Sequence, residues 1–420
     1  MKIKVKKLDF EQVQKLKRPK RKKPSKPSGV LKLLIRAISH GALKNVNFTY
    51  DFPERDTVGK GPYLILMNHS SFLDLKIVSK IFKREKYNIV CTTDALVGKE
   101  FLMRKIGCVP TQKFVRDVAL INDISYIVKK QKNSVLMYPE AGYSLDGSAT
   151  PIPEGLGRLI KMLGVPVIFV KTFGAYHHDP LYNLLQLRKV DVSATVTVLA
   201  SKEEVENLTV NALSEKVQTA FTFDNFKWQI ENGVKITEKF RADGLERVLY
   251  KCPACNAEGH TVGKGITLKC NACGKEYTLT EYGQMQAVNG MTEYPHIPDW
   301  YNWQRECVKG EITDWKYQIE TDVKLLMLVD YKRLYDVGEA VLTHDKSGFS
   351  LVGKGFPLNY RQGPLTSYSL NSDYYWYEMG DVVSIGDKNA LYYCFPKKDG
   401  LVSKLRLATE EIYKIAKSER

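Results

Sequence analysis

Between residues 62 and 223, short apolar runs alternate with longer amphipathic stretches, and no other pattern in the sequence limits the possible folds as strongly. The amphipathic stretches predict helices over residues 71–82, 117–131 and 156–163. The apolar runs predict strands over residues 63–67, 87–91, 134–138, 165–172 and 194–199. Because strands that alternate with helices are typical of a sheet covered by helices, we expect an α/β sandwich here.

A polar turn, Asn68-His69-Ser70-Ser71, follows the first predicted strand, and Asp74 comes five residues after His69. On one continuous helix this spacing would place the two side chains about 140° apart. They can meet if His69 lies on the turn and Asp74 lies early in the helix, which Ser70 or Ser71 can cap. A neutral imidazole can then take the proton of a hydroxyl, while the carboxylate fixes the imidazole tautomer. We predict that His69 is a general base and that Asp74 is its partner.

The chain has seven histidines, so one such pair alone is weak evidence, but four motifs occur together in one order. With these motifs the sequence resembles the glycerolipid acyltransferases, the family of 1-acylglycerol-3-phosphate acyltransferase. The family's first motif, Asn-His, four residues and Asp, stands unmodified at 68–74. Its second, Gly, two residues, Phe or Pro, two residues and Arg, stands at 107–113 with Lys113 in place of the arginine. Its third, Phe-Pro-Glu-Gly-Thr-Arg-Ser, is matched by Tyr-Pro-Glu-Ala-Gly-Tyr-Ser at 138–144, and its fourth by Val-Pro-Val-Ile at 165–168.

The resemblance covers about residues 30–225 and implies an αβα sandwich in which His69 is the base and Asp74 its partner. It also implies an acyltransferase that takes a fatty acyl group from acyl-CoA or acyl carrier protein. The acceptor would be a lysolipid hydroxyl, in the first place that of 1-acylglycerol 3-phosphate. The residues expected to bind it are Asn68, Gly107, Lys113, Arg116, Glu140 and Tyr143.

Two departures from the family motifs concern the acceptor. Lys113 keeps the positive charge of the motif arginine but loses its bidentate fork, although Arg116 follows closely and could replace it. Tyr143 stands where the third motif has an arginine, and Tyr138 and Tyr143 bracket Glu140. A sugar or a neutral glycerol headgroup would suit these side chains. A non-phosphate glycolipid or another lipid acceptor therefore stays open.

Two CxxC pairs form a separate module. Cys252 and Cys255 make the first pair, and Cys270 and Cys273 make the second after fourteen intervening residues. Four thiolates with this spacing can surround one Zn²⁺ tetrahedrally, so we predict a zinc ribbon. Because cysteine would fill all four positions, the zinc should be structural and not catalytic. Redox-active thiols, or His260 as a competing ligand, are the alternatives.

Positive charge is concentrated at the N-terminus. The first thirty residues contain twelve Lys or Arg against two acidic residues, and they account for most of the net charge of +16. Three prolines interrupt residues 1–28, which we predict to be a basic, disordered tail. Residues 29–44 predict an amphipathic helix whose apolar stripe either packs on its own domain or lies on a membrane. We expect neither a signal peptide nor a transmembrane helix, and we place the chain in the cytoplasm, peripheral at the inner face of the membrane.

Changes in composition divide the chain into four parts. The basic tail precedes an acyltransferase domain with its N-terminal amphipathic helix over residues 29–225. Residues 226–285 would form a helical connector and the zinc ribbon. Residues 286–420, rich in Tyr and Trp, predict a β-rich module closed by a helix over residues 402–416. The aromatic run at 374–377 is expected to be a strand of this module with alternate rings in the core.

The partners that we expect are a lipid acceptor and an anionic membrane surface, with acyl carrier protein as a further candidate. We do not expect nucleic-acid binding by the catalytic half. An alternative function remains, in which the ribbon and the basic tail bind nucleic acid or protein and the acyltransferase domain is vestigial. The intact His69, Asp74 and Glu140 argue against it.

Overall fold

The structure, a computed structural model, describes residues 3–115 and 117–419. Three sheets dominate it: one of seven strands in the N-terminal half, one of four strands around the paired cysteines, and one of eight strands in the C-terminal module. The predicted fold class, an α/β domain followed by a Cys-paired module and a β-rich module closed by a helix, is confirmed. No helix in the described ranges combines the length and the apolar character that are needed to cross a membrane.

The described part of the N-terminal segment is folded, so the prediction of a disordered tail over residues 1–28 is wrong there. The segment contains strand β1 (Val5–Lys7) and helix α1 (Phe10–Gln14). β1 joins the sheet of the C-terminal module as a parallel strand. Phe10 and Val13 are buried in the core of the same module. These two apolar side chains explain the difference, because the surface that they bury stabilises a segment whose overall composition is that of a solvated tail.

Beyond α1, the basic segment is paired with acidic residues of the α/β domain. Arg21 contacts Asp117 at 3.2 Å and Asp123 at 2.8 Å, and Lys22 contacts Glu100 at 2.9 Å. The N-terminal segment therefore connects the sheet of the C-terminal module to the surface of the α/β domain.

The α/β domain is built on a mostly parallel sheet. Its strands are β2 (Thr49–Asp51), β3 (Leu64–Met67), β4 (Tyr87–Thr92), β5 (Cys108–Thr111), β6 (Ser134–Met137), β7 (Val167–Phe173) and β8 (Ser193–Ala200). Their order is β2-β8-β7-β3-β6-β4-β5, and only β7 and β8 pair in antiparallel fashion. All five predicted strands are present, with ends within two residues of the predicted ones, whereas β2 and β5 were not predicted.

Helices cover both faces of this sheet. They are α2 (Gly29–Lys44), α3 (Asp74–Ile81), α4 (Glu100–Ile106), α5 (Val118–Tyr126), α6 (Leu156–Leu163), α7 (Ala175–His178), α8 (Lys202–Asn207) and α9 (Val210–Ala220). On one face, α2, α3 and α4 share a core with Ile65 and Met67 of β3. On the other face, α5, α6, α8 and α9 share a core with Leu64 and Leu66. Side chains alternate between the two faces along β3, and the result is the predicted αβα sandwich.

The Cys-paired module follows helix α10 (Asn225–Glu231) and a largely irregular connector, which is less helical than predicted. Its four antiparallel strands are β9 (Thr261–Lys264), β10 (Thr267–Cys270), β11 (Glu276–Leu279) and β12 (Met285–Ala287). They lie in the order β12-β11-β10-β9. Leu268 and Tyr277 of this sheet share one hydrophobic core with Trp300 and Leu405 of the C-terminal module. The ribbon and the module are therefore packed as one unit.

The C-terminal module begins with helix α11 (Ile297–Thr313), which was not predicted, and ends with helix α12 (Leu401–Ser418). Between them lie β13 (Gln318–Leu328), β14 (Leu334–Asp345), β15 (Gly348–Gly353), β16 (Asn359–Gln362), β17 (Asn371–Asp373), β18 (Val382–Gly386) and β19 (Leu391–Pro396). The sheet order is β16-β15-β14-β13-β19-β18-β17, with β1 beside β14. The aromatic run at 374–377 is not a strand, because the chain turns into a short 3₁₀ helix at Trp376–Glu378.

Candidate active site

The carboxyl ends of four neighbouring parallel strands meet at one edge of the sheet of the α/β domain. His69 follows β3, Asp94 follows β4, Lys113 follows β5 and Glu140 follows β6. In open α/β sheets, ligands bind in the crevice outside this edge. The candidate site is therefore built from loops that a rigid sheet holds in place.

The turn between β3 and α3 brings His69 and Asp74 together. Nδ1 of His69 lies 2.7 Å from Oδ2 of Asp74, whose side chain is buried. The same carboxylate oxygen accepts the backbone N–H groups of Ser70 and Ser71, at 3.0 and 3.3 Å. Asp74 is the first residue of α3, where the helix dipole favours a negative charge. The local fold therefore holds the side chain of Asp74 aimed at one nitrogen of the imidazole.

Glu140 supports the same turn from the end of β6. Its Oε2 atom accepts the backbone N–H of His69 at 2.9 Å. Its Oε1 atom accepts the backbone N–H and the hydroxyl of Thr150, at 3.1 and 2.9 Å. Burial raises the pKa of Glu140 to about 7, although these three donors oppose the rise. Both oxygens accept hydrogen bonds from the protein, and the contact with the backbone of His69 makes Glu140 a positioning residue for that histidine.

Two tyrosine rings cover the faces of the His69 imidazole. The ring of Tyr143 lies 3.9 Å from it and the ring of Tyr138 lies 4.4 Å from it, centroid to centroid, and both stack on it. The His69 side chain keeps 18 % of its surface exposed. Burial lowers the pKa of His69, and the hydrogen bond with Asp74 opposes this effect. The imidazole is therefore neutral near pH 7, with its edge available to a substrate.

Residues 45–171 match the family model described as Acyltransferase. This part of the chain is an acyltransferase-family domain. It includes all four strand ends of the candidate site. The structure is also similar to the crystal structure of the 1-acyl-sn-glycerophosphate (LPA) acyltransferase PlsC from Thermotoga maritima, with 16 % identity and a TM-score of 0.33, covering 46 % of this chain and 78 % of that one. No curated protein matches the chain significantly.

Within the acyltransferase domain, two predicted acceptor residues make internal contacts of the fold. Asn68 is fully buried, and its side chain bonds Ser70 and Thr172 at 2.9 Å each, so it braces the turn. Gly107 precedes β5 and lies at the amino end of that strand, at the opposite edge of the sheet from His69. A Cβ atom on Gly107 would lie 2.7 Å from Pro27, so its role is close packing at a positive φ of 102°.

Lys113 and Tyr143 of the acyltransferase domain do lie at the site. Lys113 is close enough to His69 to contribute to lowering the pKa of the imidazole. Tyr143 stacks on His69 and also on Phe72, whose ring lies 5.4 Å away. Arg116, the other predicted acceptor residue, lies outside the described residues.

The site also has neighbours from the C-terminal module that sequence reasoning missed. Arg406 of α12 is buried and donates to the carbonyl of Tyr143 at 3.3 Å. Tyr368 places its ring 5.3 Å from Phe114, next to Lys113. These contacts join positions more than two hundred residues apart, and no local pattern announces them. Asp94 could have been found, because it follows a predicted strand as Glu140 does.

The four paired cysteines meet in the ribbon, as predicted. Their sulfur atoms all lie within 4.8 Å of one another. The Sγ–Sγ distance is 3.9 Å between Cys252 and Cys273 and 3.7 Å between Cys255 and Cys270. A tetrahedral site with metal–sulfur bonds of about 2.3 Å has edges of about 3.8 Å, so these side chains fit one metal ion. His260 is not part of the group among the described residues.

Proposed function

We propose that this chain is an O-acyltransferase that moves a fatty acyl group from a thioester to the hydroxyl of a lipid. The observation that carries the proposal is the 2.7 Å contact between His69 and Asp74 inside an acyltransferase-family domain. Asp74 engages Nδ1, which leaves Nε2 to accept the proton of an incoming hydroxyl. The hydroxyl oxygen bonds to the thioester carbonyl carbon, the carbon–sulfur bond breaks, and the proton passes from His69 to the departing thiolate.

This chemistry needs no covalent bond between enzyme and acyl group. Asp74 stabilises the imidazolium that forms, and the backbone N–H groups of Ser70 and Ser71 keep its carboxylate in place. Glu140 fixes the backbone of His69. The tyrosine rings on the faces of the imidazole restrict its rotation.

The donor that we propose is acyl-CoA or acyl carrier protein, as the family resemblance implies. For the acceptor, the resemblance puts 1-acylglycerol 3-phosphate first and a lipid without a phosphate second. Lys113 is a cation at the site that would face a phosphate, and the neighbouring carboxyl groups of Asp94 and Asp373 favour the second choice.

We also propose that the domain works at an anionic membrane surface, on the cytoplasmic side. The side chains of Val30, Leu33, Leu34 and Ile38 on α2 are 55 to 76 % exposed, so much of the apolar surface of this helix is not packed on its own domain. On α4, which packs against α2, Phe101 is 77 % exposed. Exposed apolar residues grouped in this way are typical of membrane or partner contacts.

Basic side chains border this apolar surface. A cavity of about 290 Å³ beside Phe101 is lined by Lys22, Lys23, Arg104 and Lys105, with Glu100 as its one acidic residue. Lipid headgroups with negative charge would complement these cations, and each Lys or Arg near an anionic surface contributes about 1 kcal/mol. The ion that we propose for the four cysteines is Zn²⁺, held as a structural ion because cysteine fills all four positions.

The experiment that tests the proposed function is acyl transfer from labelled acyl-CoA, or from acyl carrier protein, to a panel of lysolipids. We expect ester formation by the wild type and a loss of at least a thousandfold in His69→Ala. His260→Ala, which changes an exposed histidine of the ribbon, serves as the matched control. The absence of transfer from both donors to every acceptor would contradict the proposal and favour the binding-module alternative.

A further inference from the structure

Lys113 shares its surroundings with two carboxyl groups from different parts of the chain. Asp94, in the turn after β4, is buried, and the charge of Lys113 acts on it. Asp373 is the last residue of β17 in the C-terminal module. The charge of Lys113 lowers its pKa, and that of Asp94 raises it. One carboxylate oxygen of Asp373 is buried and has no hydrogen-bond partner among the described residues. The module therefore adds an unsatisfied acceptor atom beside the cation of the second family motif.

A phenol from the module completes this group. The hydroxyl of Tyr377 lies close enough to the side chain of Asp94 for each group to affect the pKa of the other. The ring of Tyr377 packs on Trp376 at 4.8 Å, and Trp376 stacks on Tyr393 of the sheet at 4.5 Å. The polar group is thus carried by a rigid part of the C-terminal module.

The two loops that carry the group are fixed against each other. Val97 and Val115 of the acyltransferase domain pack into the same apolar cluster as Trp376. Phe114 has a φ of 58° and Tyr377 a φ of 48°. Non-glycine residues keep this left-handed conformation only where the surrounding structure imposes it, and such positions cluster at ligand sites. The juxtaposition of the loops is therefore a built feature of the fold.

We propose that the C-terminal module completes the acceptor pocket and that Asp94 and Asp373 make it select a lipid with an uncharged, hydroxyl-bearing headgroup over a phosphomonoester. The inference rests on the proposed acyl transfer and specifies its acceptor. A phosphomonoester brings between one and two negative charges at neutral pH, and two carboxyls beside Lys113 offset the cation that would attract it. Carboxylate oxygens and a phenol accept and donate hydrogen bonds in the way that hydroxyl groups require.

Burial raises the pKa of Asp94, and it raises the pKa of Asp373 to about 7, so Asp373 is partly ionised at neutral pH. The carboxyl groups offset part of the positive charge of Lys113, and of Lys99, whose charge also acts on Asp94. An uncharged hydroxyl group can hydrogen bond to these carboxyl groups without disturbing their interaction with Lys113. A phosphate would be repelled by their negative charge.

The test compares two acceptors with the same acyl chain, 1-acylglycerol and 1-acylglycerol 3-phosphate, in wild type, Asp373→Asn and the double variant Asp94→Asn, Asp373→Asn. We expect the wild type to have the higher kcat/KM for 1-acylglycerol. Each substitution should move the ratio toward the phosphorylated acceptor, by at least tenfold in the double variant. Asp399→Asn, an exposed aspartate in the turn before α12, should leave the ratio unchanged.

A binding measurement separates this inference from the chemistry. In a His69→Ala background, the two Asp→Asn changes should tighten binding of 1-acylglycerol 3-phosphate by at least fivefold. The inference would be overturned if the active wild type preferred the phosphorylated acceptor, or if the acceptor ratio of the double variant stayed within twofold of the wild-type ratio. Either result would leave the proposed acyl transfer unaffected. A wild type that acylates no acceptor with either donor would overturn both.

Discussion

His69 and Asp74 are joined through one carboxylate oxygen that also receives the backbone of the intervening turn. Oδ2 of Asp74 lies 2.7 Å from Nδ1 of His69 and accepts the N–H groups of Ser70 and Ser71. A single atom therefore orients the imidazole and closes the turn that carries it. The spacing of five residues between histidine and aspartate is the spacing that this turn needs before α3 begins at Asp74.

Asp74→Asn tests the role of this carboxylate. An amide can offer its NH₂ group to Nδ1 and so favour the wrong tautomer, with the proton on Nε2, and it cannot stabilise the imidazolium. We expect kcat to fall by about a thousandfold or more. Asp51→Asn, at an exposed position of β2, is the control. A loss below tenfold, with the midpoint of thermal unfolding preserved, would show that Asp74 does not support the base.

The pH dependence of transfer follows from the burial of His69. Burial lowers the pKa of His69 below its ordinary value of about 6.5. Because the base must be neutral, kcat/KM should rise with pH through an acid limb centred below about 6.5 and then level off. The unfolded chain protonates this histidine at a higher pH than the folded chain does, so His69 also lowers the free energy of unfolding as pH falls through that window. An acid limb centred above pH 7 would contradict this expectation.

Glu140→Ala should cost both stability and activity. The substitution leaves the backbone N–H of His69 and both donors of Thr150 buried without an acceptor. An unsatisfied buried donor costs about 1–3 kcal/mol, so the free energy of unfolding should fall by at least that amount. Urea unfolding, compared with Glu203→Ala on the exposed side of α8, measures it. Equal stabilities of the two variants would remove the positioning role assigned to Glu140.

The apolar surface of α2 predicts membrane binding that single charges disrupt. Leu33→Asp or Ile38→Asp should weaken binding to anionic vesicles by tenfold or more, because each buries a charge where an apolar side chain would enter the bilayer interface. Met291→Asp, at an exposed apolar position between β12 and α11, should have no such effect. Co-sedimentation in low and high salt is the measurement. If Leu33→Asp, Ile38→Asp and Met291→Asp bind vesicles equally well, the membrane contact does not involve the apolar surface of α2.

The cysteine site predicts one tightly bound zinc ion per chain. Since the ribbon shares its core with α11 and α12, removal of the metal by a chelator should lower the thermal midpoint of the whole C-terminal unit. Cys270→Ser should act in the same direction, and Cys307→Ser, outside the cluster, should not. The structural role of the zinc ion would be contradicted if the purified chain contained no bound metal and a chelator did not change its midpoint of thermal unfolding.

Much of the acyltransferase domain could be predicted because its signals are local. Apolar runs bounded by turns located the five predicted strands, and the strand-to-helix turn explained how His69 and Asp74 meet. Local patterns did not predict contacts between residues that are distant in the sequence. Asn68, Gly107 and Glu140 were expected from the family resemblance to bind the acceptor, and their contacts with Thr172, Pro27 and Thr150 were not predicted.

The C-terminal module was harder to interpret. α11 was missed because Pro298, Gly310 and several aromatic residues within it resemble the composition of strands and turns, whereas its buried face is set by tertiary packing. Asp373 and Tyr377 carry no motif, and they reach Asp94 and Lys113 only through the docking of the module on the acyltransferase domain. Contacts of this kind depend on topology and leave no periodic trace in the sequence.

The central claim is direct transfer with His69 as the base, and labelled acyl thioester tests it most directly. The protein is incubated first without acceptor, its covalent label is measured, and a lysolipid is then added to wild type and to His69→Ala. We expect no acyl label on the protein, ester and free thiol formed at the same rate by the wild type, and at least a thousandfold slower transfer by His69→Ala. A stable acyl group on the protein, or a His69→Ala variant within tenfold of wild type, would contradict this claim.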